Sequence, residues 1–97
     1  ERSSWAVTNV GQTAWTPTAI EWKFSDGYQG TCQVSRVRGG VTNLLVRQVL
    51  TNLTTSVFIN KEEFDGTWFI RGDVLLMEQP GASNLVINLN RDDSYEP

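Results

Sequence analysis

Residues 66–81 read GTWFIRGDVLLMEQPG, and the way this stretch pairs decides the fold. Read as a hairpin, it puts Gly72-Asp73 at the tip, with glycine first as a type II′ turn prefers. Arg71 then faces Val74, Ile70 faces Leu75 and Trp68 faces Met77, so Trp68, Ile70, Leu75 and Met77 share one apolar face. A turn one residue earlier sets Ile70 against Asp73 and breaks that face, because a one-residue slip inverts a strand. Continued through a PGAS loop at 80–83, the same logic pairs Met77 with Val86, Leu76 with Ile87 and Val74 with Leu89. Residues 73–79 are then apolar on both faces, as a central strand is.

The tip of this hairpin spells Arg71-Gly72-Asp73, a cell-adhesion signal where both charges splay from an exposed loop. Turn chemistry alone accounts for the glycine and the aspartate, so adhesion stands as a minor alternative.

Outward from this stretch, strand signals recur. Residues 4–10 alternate, with Trp5 and Val7 opposed to Ser4, Ala6 and Thr8. Residues 19–24 alternate cleanly, Ile20, Trp22 and Phe24 on one side and Ala19, Glu21 and Lys23 on the other, the period of a half-buried antiparallel strand. Asp26-Gly27 and Gly30 carry turn chemistry, Cys32 and Val34 share a face of 31–37, and Gly39-Gly40 is a further turn signal. Residues 56–60, 67–71 and 84–89 complete the set. The expectation is a mainly β domain, a small antiparallel sandwich or barrel of about six to eight strands in meander order.

Residues 41–53 (VTNLLVRQVLTNL) do not alternate. Wound as a helix, they gather Leu45, Val46, Val49, Leu50 and Leu53 on one side, so a short helix near 42–53 in an α+β fold is the alternative. Residues 1–90 form one domain, and 91–97, with Asp92, Asp93 and Glu96 against Arg91, read as a flexible acidic tail.

The 97 residues are 39% hydrophobic and 20% charged with a net charge of −3, enough apolar material for one core. That balance offers no basic face for nucleic acid and no polybasic cluster for a membrane. With apolar runs of no more than four residues, the chain is expected to be soluble, and its compartment is not legible. The single Cys32 makes no internal disulfide, and its strand setting reads as a small core residue.

Histidine is absent, which removes the commonest acid–base group, nucleophile activator and metal ligand. The acids of 61–66 (Glu62, Glu63, Asp65) sit in a connection and read as a solvated loop; no calcium-loop spacing or phosphate-binding glycine motif is present. No catalytic residue, metal or cofactor is expected. Three aromatics stand outside regular strands: Trp15 beside Pro17, Tyr28 in a turn and Phe64 between acids. Each is a candidate anchor for a partner or a sugar ring, or else a cover over the open end of a β core. The expectation is a non-catalytic protein-interaction or assembly module, associating with another protein or with itself. Trp15, Tyr28, Phe64, Arg71, Gly72 and Asp73 are its candidate contact residues. The alternative is a small barrel holding an apolar or carbohydrate ligand.

Overall fold

The computed structural model describes residues 2–81 and 85–93. The chain is mainly β: β1 (Arg2–Thr8), β2 (Thr16–Arg38), β3 (Val41–Asn60), a 3-10 turn η1 (Lys61–Phe64), β4 (Val74–Pro80) and β5 (Leu85–Asp92). All five strands join one antiparallel sheet in the order β1-β4-β2-β3, with β5 also paired to β2. Among the described residues no helix is long and apolar enough to cross a membrane.

The count falls to five because expected strands fuse. Residues 19–24 and 31–37 are one strand, β2, and 41–53 joins 56–60 as β3. Asp26-Gly27 is therefore not a hairpin turn. The β2–β3 register breaks between Lys23 and Tyr28 and again before Gly30, and Gly27 takes φ +81°, open to residues without a Cβ. The positive φ at Gly27 serves a bulge in a continuing strand, not a turn. Gly39-Gly40, by contrast, is a turn, with both φ positive between Arg38 and Val41, as the type I′ hairpin requires.

Length shows what the bulged corner does. Twenty-three residues extended at about 3.3 Å each would span roughly 75 Å, whereas the molecule's longest dimension is 42 Å. β2 must therefore turn back on itself, and the sheet doubles over with it. In the first half, Ile20 lies between Ile59 and Leu89, and Trp22 lies between Val57 and Ile87. In the second, Trp5, Met77, Val34 and Val46 form a row across β1, β4, β2 and β3. The two halves touch at Trp5 and Trp22, whose rings pack edge-on at 6.4 Å and 88°. The alternation of 19–24 is realised in full, with Ile20, Trp22 and Phe24 buried.

The hairpin expected from 66–81 does not form. Residues 67–71 are not a strand, Ile70 is exposed, and Phe69 is the buried residue of that stretch, bridged to Trp15. β4 is an inner strand, but its neighbours are β1 and β2, not 67–71 and 84–89. β4 and β5 instead run end to end along the same side of β2, β4 against residues 33–37 and β5 against 16–24. The meander holds only for β2–β3. Residues 82 and 83 of the expected loop lie outside the described residues.

The helix near 42–53 is also corrected, because β3 is strand throughout. Val34 pairs with Val46 and Ser35 with Leu44, so Leu45 is an extra residue that resets the alternation. Beyond it, Val49 and Leu53 point to solvent. A bulge and outward apolar residues together imitate helical periodicity. At the C-terminus β5 runs through Asp92, so Arg91 and Asp92 belong to the sheet; residues 94–97 lie outside the described part.

Candidate interaction surface

The six candidate contact residues do not form one exposed site. Trp15 is buried, stacked on Phe69 at 4.8 Å and 11°, with the Arg91 guanidinium 5.0 Å from its ring. Covered on both sides, it offers no face to a sugar. Phe64 is buried, dropped into the core by η1. Tyr28 stacks on Phe24 at 5.0 Å, and its hydroxyl lies 2.7 Å from the Pro80 carbonyl and 3.2 Å from that of Thr31. It bonds the β2 corner to the end of β4. All three aromatics cover the core.

Arg71-Gly72-Asp73 belongs to a turn in which the Asp73 amide donates to the Ile70 carbonyl at 2.9 Å. Arg71 is exposed, but Asp73 is 2% exposed. Arg38 grips its carboxylate bidentately, Nε to Oδ1 at 2.9 Å and Nη2 to Oδ2 at 2.7 Å, and the Ile70 amide donates to Oδ2 at 2.8 Å. The acid that an adhesive loop must display is thus engaged inside the protein. The Arg38 hydrogen bonds come first among the causes that hold Asp73 below the usual carboxylate range, against burial, which acts the other way.

A depressed folded-state pKa contributes stability that is present above the unfolded value, about 3.9, and is lost as pH falls through the folded value. Urea midpoints measured from about pH 5 to about pH 2 should fall more steeply for the wild type than for Asp73→Asn, the curves converging at the acid end. Parallel curves would contradict the assignment.

The residue that organises this end was missed in the sequence. Asn9 is 3% exposed; its main-chain amide donates to the Asp73 carbonyl at 2.9 Å and its carbonyl accepts from Gly72 at 2.8 Å. Its side-chain Nδ2 donates to Phe69 at 2.7 Å and Thr13 at 3.1 Å, while Oδ1 accepts the Gly11 amide at 2.9 Å. The last contact is an Asx turn, for which Asn9-Val10-Gly11 is a readable signature. Asn9 thereby joins 9–15 to 69–73 and brings Trp15, Gly72 and Asp73 to one end of the fold.

Trp22, Phe24, Phe64, Phe69, Ile20, Ile59 and Leu75 are fully buried. Burial pushes the Cys32 thiol up to about 11, so it stays protonated at neutral pH. A cleft of about 320 Å³ beside Trp15, lined by Asn9, Gln12, Thr13, Arg91 and Asp93, is open to solvent and mostly polar.

What stands out is β3. It ends the sheet order, and among the described residues nothing pairs with its outer edge. Twenty residues long, it carries one charge, Arg47, and neither proline nor glycine. Val41, Leu44, Val49, Leu53 and Phe58 on this strand are each more than half exposed. The other free edges are guarded: β1 is seven residues long, and β5 is eight long and carries Arg91 and Asp92. Proteins blunt exposed edges with charge, proline, bulges or shortness; β3 has only Arg47, the Leu45 bulge and the register break at 51–53. No family model, curated protein or solved structure matches this chain.

Proposed function

We propose that the protein is a non-catalytic association module that binds other protein through the outer edge of β3. The observation that carries this reading is the coincidence on β3 of an unpaired main-chain edge, exposed apolar side chains and a near absence of charge. Strand addition at such an edge takes its affinity from main-chain hydrogen bonds and its specificity from the alternate side chains. A small-ligand role has less support, since the doubled sheet is filled by aromatic and aliphatic side chains where a ligand would sit.

Placing a photo-cross-linking amino acid at position 49, and at exposed Val86 on β5 as control, tests this in the cells that make the protein. Irradiation should give a discrete protein adduct from position 49 and none from position 86. No adduct at 49, or equal adducts at both positions, would refute the reading.

A further inference from the structure

Resting on that reading, we propose that the partner is a second copy of this chain. The 41–50 half of β3 pairs antiparallel with the same segment of its twin across a two-fold axis, extending the sheet from one protomer into the other. Three observations select this occupant.

The first is charge. Between positions 41 and 50 the only ionisable side chain is Arg47. A strand selected to receive an acidic peptide would present several cations, and one selected for a basic peptide would present acids. This edge presents neither kind of code. Pairing with itself brings together just two cations. In an antiparallel ladder they oppose each other only in the register centred on residue 47, and every other register separates them. Like charges directly opposite are what destabilise a cross-strand pair, so self-pairing is electrostatically permitted here.

The second is symmetry. Antiparallel addition of the 41–50 segment to its own copy is isologous and closes after two chains, leaving neither copy with that segment's edge exposed. A parallel or shifted head-to-tail addition would leave an open edge at each end and grow. The remaining free edges, β1 and β5, are short. Among the described residues each chain therefore offers one long edge to be covered.

The third is area. Val41 is 61% exposed, Leu44 56% and Val49 59%. With exposed Thr42, Asn43 and Arg47 alongside, these side chains leave on the order of 100 Å² each, at most roughly 600 Å² per copy. Two copies then bury about 1,200 Å² at most, the lower bound of specific interfaces. This area fits a reversible dimer with a micromolar or weaker Kd, not an obligate one.

Sedimentation velocity of the purified full chain, from about 10 μM to about 1 mM, tests the inference. The wild type should move from monomer towards twice its 10.9 kDa mass as concentration rises. Val49→Lys and Leu44→Lys each add a second cation to the edge, four in the joint ladder. Both should stay monomeric over the whole range, with thermal midpoints at the dilute end close to wild type. Val86→Lys, on β5, should dimerise as the wild type does. A wild type that stays monomeric at about 1 mM, a series that grows past the dimer, or lysine variants that dimerise normally would each overturn the proposal. A monomeric wild type whose position 49 still cross-links to a different protein would end self-pairing and leave the association module standing. The absence of any adduct at 49 would end both.

Discussion

Trp22→Ala should leave the protein unfolded or loosely packed at 37 °C. The indole is fully buried, between Val57 and Ile87 in the sheet and in a T-shaped contact with Trp5. Truncating a buried tryptophan removes its transfer free energy and leaves a void in a close-packed interior, typically about 3–5 kcal/mol together. Domains are stable by about 5–15 kcal/mol, and at the lower end of that range the loss consumes most of the margin. Trp22→Phe is the informative companion. Trp22 Nε1 is buried without a hydrogen bond inside the protein. Phenylalanine removes that unpaired donor along with some contact area, and a loss of only about 1–2 kcal/mol is expected. Chemical denaturation of the pair checks both values. A Trp22→Ala protein within about 1 kcal/mol of wild type would show that the halves do not pack as described.

Asn9→Ala should cost about 2–3 kcal/mol, although Asn9 lies in a loop. Its side-chain amide makes three hydrogen bonds, and alanine removes all of them, leaving the buried Phe69 carbonyl with the Trp15 amide alone as donor. The groups at Gly11 and Thr13 are more exposed and can turn to water, which keeps the figure below the sum of three lost bonds. For a domain of this size the midpoint of thermal unfolding should fall by roughly 10–20 °C. Asn9→Asp sharpens the test. An ionised carboxylate keeps the acceptor for Gly11 but faces the Phe69 and Thr13 carbonyls with no proton to donate. It should be at least as destabilised as the alanine variant at neutral pH. Burial against those carbonyls raises its folded-state pKa, so stability should partly return as pH falls towards about 4, the unfolded value. A neutral Asn9→Ala would mean that the two loops are held together by something other than this side chain.

Both residues show what the sequence did and did not make legible. Trp22 was readable: the alternation of 19–24 assigns it inward without any knowledge of its neighbours. Residues 73–79, read as a central strand because both faces are apolar, lie in and beside the inner strand β4, but not through the hairpin pairing behind that reading. Its neighbours were not readable, since Met77 lies between Trp5 and Val34, both distant in the chain. Periodicity says which residues share a face, while the choice of neighbouring strand is made by the whole core. A hairpin is the nearest solution in sequence, and here the core rejected it by burying Phe69 against Trp15. Asp26-Gly27 misled for a related reason, as positive φ serves a bulge as readily as a turn. Residues 41–53 misled because the Leu45 bulge and the outward Val49 and Leu53 break strand alternation.

The candidate contact residues fared differently. Trp15, Tyr28 and Phe64 were singled out because large aromatics beside turns are contact material, and all three are used within the fold. Asp73 was singled out by its tripeptide, and Arg38 takes it. The surface that remains is made of ordinary Val, Leu, Thr and Asn on a strand whose edge status only the topology reveals. What marked it in the sequence was its refusal to alternate, which is equally the mark of a helix.

Amide hydrogen exchange at residue resolution, compared between dilute and concentrated protein, tests the central claim most directly. Alternate amides of an unpaired edge point to solvent and exchange readily; strand addition protects them. If β3 is the association surface, raising the concentration should slow exchange at the outward amides of residues 41–50 and leave those of β1 and β5 unchanged. Protection that appears instead along β1 or β5, or no concentration dependence anywhere on β3, would contradict the account.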